Sequence, residues 1–308
     1  MTVLALDIGG TKFAAARVTP DGTLLARAER PVGPDPAGTL RRLVTEFTTP
    51  AVTAVGIGAA GPIDAAGGTV SPVNIEAWRG FPLTATVRAL AGGRPVTLAG
   101  DAQCMALGEW WRGGHGTASL LGVVVSTGIG GGLVLDGVPL RGDTGNAGHI
   151  GHVVIERDGE PCRCGARGCL ETLASGPGMV RWARSRGWTG TTAERLAGDA
   201  RDGEPVALAA FDRSAAALAA ALLTTAALLD VHDVVIGGGV AAAGDLLLGP
   251  LRDHLGKHAG PFAHVRVTTT TLARDAGLYG AAAFALLTSG DHLDPEETPC
   301  DPPHEERP

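Results

Sequence analysis

LDIGGTK, residues 6–12, is the most informative stretch of this chain, because an acid closes an apolar run and a glycine turn follows at once. Two glycines let backbone N–H groups approach a phosphate, and Thr11 and Lys12 add a hydroxyl and a positive charge. The pattern returns in VSTGIGGG, residues 125–132, and in VVIGGGV, residues 234–240. One such turn alone is equally well explained by a tight hairpin or a strand-to-helix turn. Three of them, each after an apolar strand, predict a ligand site at the carboxyl ends of parallel strands.

Apolar runs and helical patterns alternate along the chain. Three short runs within residues 2–30 predict a meander of strands, and strands and helices alternate from there to residue 113. From Ala118 the chain restarts with two apolar runs around a glycine turn, which indicates a duplication. A group of strands followed by alternating strands and helices predicts an α/β layer fold. The second half is expected to hold helices near 177–187, 203–229 and 241–258 and strands within 231–239 and 264–272.

Composition limits the classes of function. At 308 residues, with 44% apolar and 19% charged side chains, the chain can bury a large core, and about two domains are expected. A net charge of −7 disfavours nucleic acid as a partner, since binding to phosphates is driven by Lys and Arg. The start MTVLALDIGG has no basic region before an apolar stretch, so a cytoplasmic protein is expected. The uncharged run at residues 214–229 is shorter than the roughly 20 residues that span a bilayer, so no membrane is expected.

A cysteine cluster lies within AGHIGHVVIERDGEPCRCGARGCLE, residues 147–171. Cys162, Cys164 and Cys169 follow the spacing C-x-C-x4-C, and glycines between them let the loop fold back so that three sulfurs face one point. A disulfide would leave one of the three unpaired, and a redox site would favour C-x-x-C. Three thiolates with one imidazole are typical of structural zinc, which the spacing therefore favours. Cys104 lies outside the cluster and is interpreted as a buried small residue.

In their order along the chain, DIGGTK, STGIGGG and IGGG resemble the phosphate-1, phosphate-2 and adenosine loops of the sugar kinase, heat-shock protein and actin superfamily. Within it the chain resembles the ROK family of repressors, open reading frames and kinases. The family signature is met over residues 125–152 and continues through CRCGARGCLE. The resemblance implies a two-lobed, actin-like (ribonuclease H-like) α/β ATPase fold with duplicated sheet domains and an interdomain cleft.

The resemblance also suggests the division of the chain. An N-terminal lobe is expected over residues 1–116, joined by a C-terminal helix near 277–288. A larger lobe, 117–276, is expected to carry the zinc loop and a dimer surface. Residues 289–308, which include Cys300, are polar and rich in Pro and are expected to form a flexible tail.

Asp101 follows the predicted strand VTLAG. By spacing alone, a solvated surface charge or a helix N-cap is the better explanation of such an acid. The resemblance reverses this, because Asp101 matches the catalytic base that takes the proton of the attacking sugar hydroxyl. The resemblance also supplies His152 as the fourth zinc ligand, beside Cys162, Cys164 and Cys169.

The remaining contacts are carried over position by position. Sugar contacts are expected from Gly61, Asn74, Gly100, Asp101, His149, His152 and Glu171. Mg-ATP contacts are expected from Asp7, Gly9, Gly10, Thr11, Lys12, Thr127, Gly128, Gly130, Gly237, Gly238 and Gly239. Asp7 is the expected partner of magnesium or its waters, and Thr11, Lys12 and Thr127 of phosphate.

Two departures from the family pattern bear on the sugar. Gly100 stands where an Asn usually precedes the base, and His149 stands where Gly-Glu-x-Gly-His has Glu. AGHIGH, with DAQ and RDAGLYGAA, is similar to the bacterial N-acetylmannosamine kinases of sialic acid breakdown, although Gly100 departs from these as well. The resemblance thus implies ATP-dependent phosphorylation of N-acetyl-D-mannosamine at its 6-hydroxyl. The alternative is a glucokinase in which His149 is a neutral substitution.

Two non-enzymatic classes are weighed against a kinase. ROK repressors carry a DNA-binding domain before the kinase-like part, whereas here DIGGTK begins at residue 7, and the acidic balance also disfavours DNA. A sugar-binding protein without catalysis is opposed by the full set of Asp101 and three nucleotide loops. A homodimer that closes its lobes over sugar and ATP is implied by the resemblance alone.

Overall fold

Two five-stranded sheets of like topology frame the molecule, which a computed structural model describes over residues 1–72, 74–258, 260, 264–291, 293 and 295. The first half contributes β1 (Thr2–Ile8), β2 (Lys12–Val18), β3 (Leu24–Pro31), β4 (Val52–Ala59), β5 (Ile63–Asp64), β6 (Thr69–Val70) and β7 (Val96–Gly100). The second half contributes β8 (Leu120–Val125), β9 (Ile129–Leu135), β10 (Val138–Pro139), β11 (Asp233–Gly237) and β12 (Arg266–Thr269).

The strand orders are β3-β2-β1-β4-β7 and β10-β9-β8-β11-β12. In each sheet an antiparallel meander is followed by two strands that join it in parallel. This repeated order supports the predicted duplication, and the α/β fold class is confirmed. The small pair β5 and β6 stands apart from both sheets.

Nine helices of the described chain surround the sheets: α1 (Pro36–Phe47), α2 (Leu83–Leu90), α3 (Asp101–Arg112), α4 (Leu170–Ala174), α5 (Gly176–Arg184), α6 (Ala193–Arg201), α7 (Pro205–Leu229), α8 (Asp245–Gly256) and α9 (Ala276–Thr288). The helix expected from residue 241 begins only at Asp245. Gly244 has φ of +67°, which ends a short 3-10 turn at Ala241–Ala243 before α8 starts. A helix beginning near Cys169 and carrying Glu171 was predicted and is observed as α4, whereas α6 was not predicted.

α3 and α9 form the layer between the sheets. α3 packs against β8 and β9, α9 packs against β1 and β4, and the two helices contact each other. Gly108 and Gly280 bring their backbones together, since a Cβ at either position would overlap a carbonyl of the facing helix. The chain therefore passes between the sheets at the start of α3 and again at residues 270–275, named here the crossover. The lobe boundaries near residues 116 and 276 stay a prediction.

α7 closely matches the helix expected near residues 203–229. The whole helix runs for 25 residues and is by length and composition able to cross a membrane, whereas its uncharged part, residues 214–229, is shorter than a membrane span. It packs against α4, α5, α6 and α8, and Ala215, Leu218 and Leu222 are buried in the core of the second half. We interpret it as the central core helix of that half. Most of the expected tail, including Cys300, lies outside the described residues.

Candidate active site

The carboxyl ends of β1, β4 and β7 lie side by side, because Ile8 pairs with Ala59 and Ala59 pairs with Gly100. Asp7 and Asp101 are thereby brought to one edge of the first sheet, and Gly61 follows the strand between them. Burial raises the pKa of Asp7 to about 7, and the negative charge of Asp101 adds to the rise. A bound cation at this edge would favour the ionised form of both.

Asp101 is the first residue of α3 and reaches solvent. Loss of hydration nevertheless raises the pKa of its carboxyl, as expected for an accessible group that protein surrounds on most sides. The backbone N–H of Ala102 donates to Oδ1 of Asp101 at 2.7 Å, which favours the carboxylate form. The side chain is thus oriented and accessible, as a general base must be.

Gln103, in the first turn of α3, connects two parts of the predicted sugar site. Its Oε1 accepts from the backbone N–H of Gly100 at 3.1 Å, and its Nε2 donates to the carbonyl of Ala147 at 2.9 Å. Ala147 lies two residues before His149 in the loop that follows β10. Gln103 therefore holds the His149 loop beside Asp101. The sequence analysis noted this residue in DAQ without giving it a role.

Glycines of the phosphate-2 hairpin allow neighbouring segments to pack closely against it. A Cβ at Gly130 would come within 2.8 Å of the Ala102 side chain, and one at Gly131 within 2.6 Å of the Gly148 carbonyl. Both the start of α3 and the His149 loop therefore lie directly on β9. This arrangement requires tertiary contacts, and the sequence motif alone did not predict it.

The phosphate-2 and adenosine loops touch each other at the carboxyl ends of β8 and β11. Gly237 ends β11, and Gly238 has φ of +98° and lies so close to Val125 that a Cβ there would overlap its carbonyl. The N–H of Val240 donates to the same carbonyl at 3.0 Å, and Gly239 faces Ser126. Two of the three predicted nucleotide loops are therefore adjacent.

A pocket of about 660 Å³ opens beside these two loops. Its rim includes Ser126, Thr127 and Gly239, and its walls come from α5, α6 and the start of α7, with Met179, Arg181, Thr192, Glu194, Ala197 and Phe211 among them. A concave site of this volume, partly apolar and next to glycine loops, suits a nucleoside. The sequence analysis missed these walls, since they carry no motif.

The phosphate-1 turn is a hairpin in which the N–H of Gly9 donates to the Lys12 carbonyl at 3.1 Å. Thr11 is exposed at its tip. The Lys12 ammonium lies 3.0 Å from Oε2 of Glu29 on β3, so this expected phosphate contact is held by a carboxylate instead. Asn74 lies against the turn, since a Cβ at Gly10 would come within 2.7 Å of Asn74 Nδ2.

Glu171 and His149 lie on the side of the phosphate-2 loop. Glu171, in α4, accepts through Oε2 from the N–H of Ile129 at 2.9 Å, and a Cβ at Gly128 would come within 2.7 Å of the same oxygen. The rings of His149 and His152 stack with centroids 6.0 Å apart. Burial and the neighbouring His152 lower the pKa of His149, which keeps its imidazole neutral at pH 7. These side chains form one group beside the nucleotide loop.

The four predicted metal ligands form one cluster. One ligand atom from each of His152, Cys162, Cys164 and Cys169 lies within 4.8 Å of all the others. Cys162 Sγ is 3.7 Å from His152 Nδ1, and the sulfurs of Cys164 and Cys169 are 3.6 Å apart. That spacing is too long for a disulfide and matches the ~3.7 Å between thiolates on a tetrahedral zinc ion. The donor set therefore fits a closed zinc site.

The fold, the paired carboxylates and the three loops define a two-lobed, actin-like ATPase with a sugar-kinase arrangement. The chain belongs to the ROK family, which matches residues 3–287. The family resemblance drawn from the loops and the cysteine cluster is thereby confirmed.

Relatives with two different sugars in their names match this chain about equally well. A glucokinase of Thermotoga maritima is 34% identical over 92% of this chain and 97% of its own length. An N-acetylmannosamine kinase of Salmonella arizonae is 35% identical over 95% of this chain and 100% of its own. The crystal structure of a ROK family glucokinase from Streptomyces griseus in complex with glucose and AMPPNP is similar with a TM-score of 0.78 and 33% identity, over 93% of this chain and 100% of that one. The chain is accordingly a ROK sugar kinase, and identity alone does not choose the sugar.

Proposed function

We propose that this chain transfers the γ-phosphoryl group of Mg-ATP to the 6-hydroxyl of N-acetyl-D-mannosamine. The observation that carries the proposal is the position of Asp101 at the start of α3. The first turn of α3 contacts the phosphate-2 hairpin through Ala102 and Gly130, and it contacts the His149 loop through Gln103 and Ala147. A base at this place lies between a nucleotide and a sugar bound on either side.

Asp101 acts as the general base. Its carboxylate accepts the proton of the 6-hydroxyl as that oxygen attacks phosphorus, so that no charged alkoxide has to form first. A pKa raised by loss of hydration suits this role, since a more basic carboxylate is a better proton acceptor. The Ala102 N–H keeps the carboxylate oriented throughout.

The nucleotide lies with its base and ribose in the pocket between α5 and α6 and its phosphates toward the glycine loops. Thr127 at the pocket rim and the exposed Thr11 offer hydroxyls to phosphate. Asp7 would hold magnesium or its waters, and the ion, when bound, offsets the negative charge of the phosphates. Lys12 adds a positive charge near the phosphates, although its ammonium forms an ion pair with Glu29.

The sugar lies among His149, His152, Glu171 and Asn74. A neutral His149 both donates and accepts hydrogen bonds, whereas the usual carboxylate accepts alone. An N-acetyl group has an amide N–H donor and a carbonyl acceptor, which only a two-way partner can serve in either orientation. This supports an N-acylated hexose over glucose. Near-equal identity to a glucokinase keeps glucose as the second candidate.

The zinc ion has a structural role in this proposal, because four protein ligands leave no open position for water or substrate. His152 faces Cys162 through Nδ1, so the proton of a metal-bound imidazole lies on Nε2 and can be donated to a sugar hydroxyl. Zinc thus connects the folding of the cysteine loop to the sugar site. By family membership we also propose a cytoplasmic homodimer.

The product identifies the reaction. Incubation with Mg-ATP and N-acetyl-D-mannosamine should yield a sugar phosphate whose ³¹P signal couples to the two protons on C6. Phosphate at C1 would contradict the assigned hydroxyl, and ADP without any sugar phosphate would contradict the transferase reaction itself.

A further inference from the structure

Glu109, in the last turn of α3, is a buried carboxylate that holds the crossover. Its side chain is 0% exposed. Oε1 accepts from the N–H of Leu272 at 3.1 Å and from the Thr270 hydroxyl, and Oε2 accepts from the N–H of Thr271 at 3.1 Å. Oε2 also lies 2.8 Å from Nε2 of His115. Both oxygens are therefore occupied by the crossover and by the segment that leaves α3.

These contacts keep Glu109 ionised inside the protein. Burial raises the pKa of this carboxyl, but the hydrogen bonds from His115, Thr270 and the crossover backbone outweigh it and lower the pKa below its ordinary value. A buried carboxylate with this many donors is costly to disturb, since each donor left without a partner loses a hydrogen bond that water cannot replace inside the protein. The crossover is therefore fixed to α3 at its beginning.

The other end of the crossover is fixed to the first sheet. Arg27, on β3, donates through Nε to Oδ1 of Asp275 at 2.6 Å. α9 begins at the next residue, and a Cβ at Gly277 would lie 3.3 Å from Oδ2 of Asp7. The first turn of α9 therefore lies directly against Asp7, and the crossover sets where that turn begins.

We propose that Glu109 is a positioning residue for Asp7. By holding Thr270, Thr271 and Leu272 it fixes the crossover, and through the crossover it fixes the first turn of α9 against the Asp7 carboxylate. Its effect on turnover rests on the proposed function, in which Asp7 serves Mg-ATP. The effect of Glu109 on the position of α9 is independent of the proposed function.

The test compares Glu109→Gln with wild type. The amide keeps the size of the side chain, but its NH₂ group cannot accept from a backbone N–H, so at least one crossover N–H loses its partner. Glu46→Gln is the matched control, because Glu46 is half exposed and pairs with Arg30 on the surface. The measurements are amide hydrogen exchange over residues 270–277, the affinity for Mg-ATP without sugar, and kcat and sugar KM separately.

In Glu109→Gln we expect faster amide exchange over residues 270–277 and a weaker affinity for Mg-ATP. We expect kcat to fall by about 10- to 100-fold, because a small displacement near the reacting groups lowers the rate on this scale. The sugar KM should stay within about 2-fold of wild type. Faster exchange with unchanged Mg-ATP affinity and kcat would overturn the proposal, as would unchanged exchange. If wild type turned over no sugar, the proposed function would fail, while exchange and Mg-ATP affinity would still decide this inference.

Thr271→Val keeps the test valid if Glu109→Gln does not fold. Thr271 is exposed, and its hydroxyl lies 3.1 Å from Oε2 of Glu109 and 2.9 Å from the Gly113 carbonyl. Valine keeps its shape and its N–H while removing that hydroxyl. We expect faster exchange, weaker Mg-ATP affinity and lower kcat, each changed less than in Glu109→Gln. An exchange rate equal to that of wild type over residues 270–277 would contradict the inference.

Discussion

Glu171 and Ile129 are joined by a hydrogen bond of 2.9 Å from the backbone N–H of Ile129 to Oε2 of Glu171. Ile129 follows the glycine turn of the phosphate-2 hairpin, and Glu171 lies in the helix that begins just after the last cysteine of the metal cluster. One carboxylate thus connects the helix after the cysteine loop to the phosphate-2 hairpin, and in the proposed function it also contacts the sugar.

Substitutions at Glu171 should separate these connections. Glu171→Gln retains an oxygen that can accept from Ile129, so we expect ATP KM near wild type and a sugar KM raised by about 10-fold, the loss of one charged hydrogen bond. Glu171→Ala should raise both KM values, because the Ile129 N–H then has no acceptor. Steady-state kinetics with each substrate varied would check this. Equal ATP KM in the two variants would contradict the connection.

Asp101→Asn should strongly lower turnover and leave sugar binding nearly unchanged. The amide cannot accept the hydroxyl proton as a carboxylate does, so we expect kcat to fall by about 10²- to 10⁴-fold. Sugar affinity by calorimetry should stay within about 3-fold, since one hydrogen bond of similar size remains. Asp253→Asn, an exposed acid on α8, is the control. Turnover in Asp101→Asn near the wild-type value would remove Asp101 from its role as the base.

The pH dependence of kcat should follow Asp101. The base works as a carboxylate, and loss of hydration raises the pKa of Asp101, so a larger fraction is protonated at any mildly acidic pH. We expect kcat to fall with decreasing pH, with a midpoint above the value of about 4 that is usual for Asp. A pH–rate profile that stays flat down to pH 4.5 would contradict this, provided that circular dichroism shows folded protein throughout.

Removing the metal should destabilise the chain through the cysteine loop. Metal analysis should find about one zinc per chain, and Cys164→Ser should lose it, since a thiolate ligand is replaced by a poor one. Cys164 is exposed, so this substitution costs little core packing, and a fall of at least about 5 °C in Tm would report the metal itself. A chelator should lower the Tm of wild type to that of the variant and leave the variant unchanged. Wild-type protein purified with a disulfide and without metal would refute the zinc site.

Gly100→Asn tests the open space beside the base. Gly100 has φ of −68°, which any residue can adopt, and a Cβ there would meet Gln103 Oε1 at an ordinary 3.5 Å. The added amide should hydrogen-bond a sugar hydroxyl and lower sugar KM by about 3- to 10-fold with kcat retained. An unchanged KM would show that no hydroxyl lies within reach of position 100.

Local patterns predicted much of this site, and tertiary contacts account for the rest. The metal cluster was predictable because its four ligands lie within residues 152–169 and the spacing alone restricts the chemistry. The position of Asp101 between a strand and a helix was predictable because it directly follows an apolar run, and its role as a base stays a prediction. The pairing of Lys12 with Glu29 was not, since it depends on how β2 and β3 pair. The roles of Gln103 and Glu109 were not predictable either, because Gln103 contacts Ala147, 44 residues away, and Glu109 contacts Thr270, more than 160 residues away.

The nucleotide pocket shows the same limit. Its rim was found from the glycine loops, but its walls in α5 and α6 have ordinary amphipathic sequences whose polar residues could as well face solvent. A fold that brings three separate helices to one loop gives no signal in any single one of them. The glycine loops beside the pocket were therefore predictable from the sequence, and the helices that enclose it were not.

The most direct test of the account is ADP release by the purified protein with Mg-ATP and a panel of N-acetylmannosamine, N-acetylglucosamine, glucose, mannose and fructose. The account predicts turnover that depends on added sugar, with the highest kcat/KM for N-acetylmannosamine. A preference for glucose would retain the kinase and Asp101 and refute the role given to His149, and no sugar-dependent turnover at all would contradict the central claim that this site transfers phosphate.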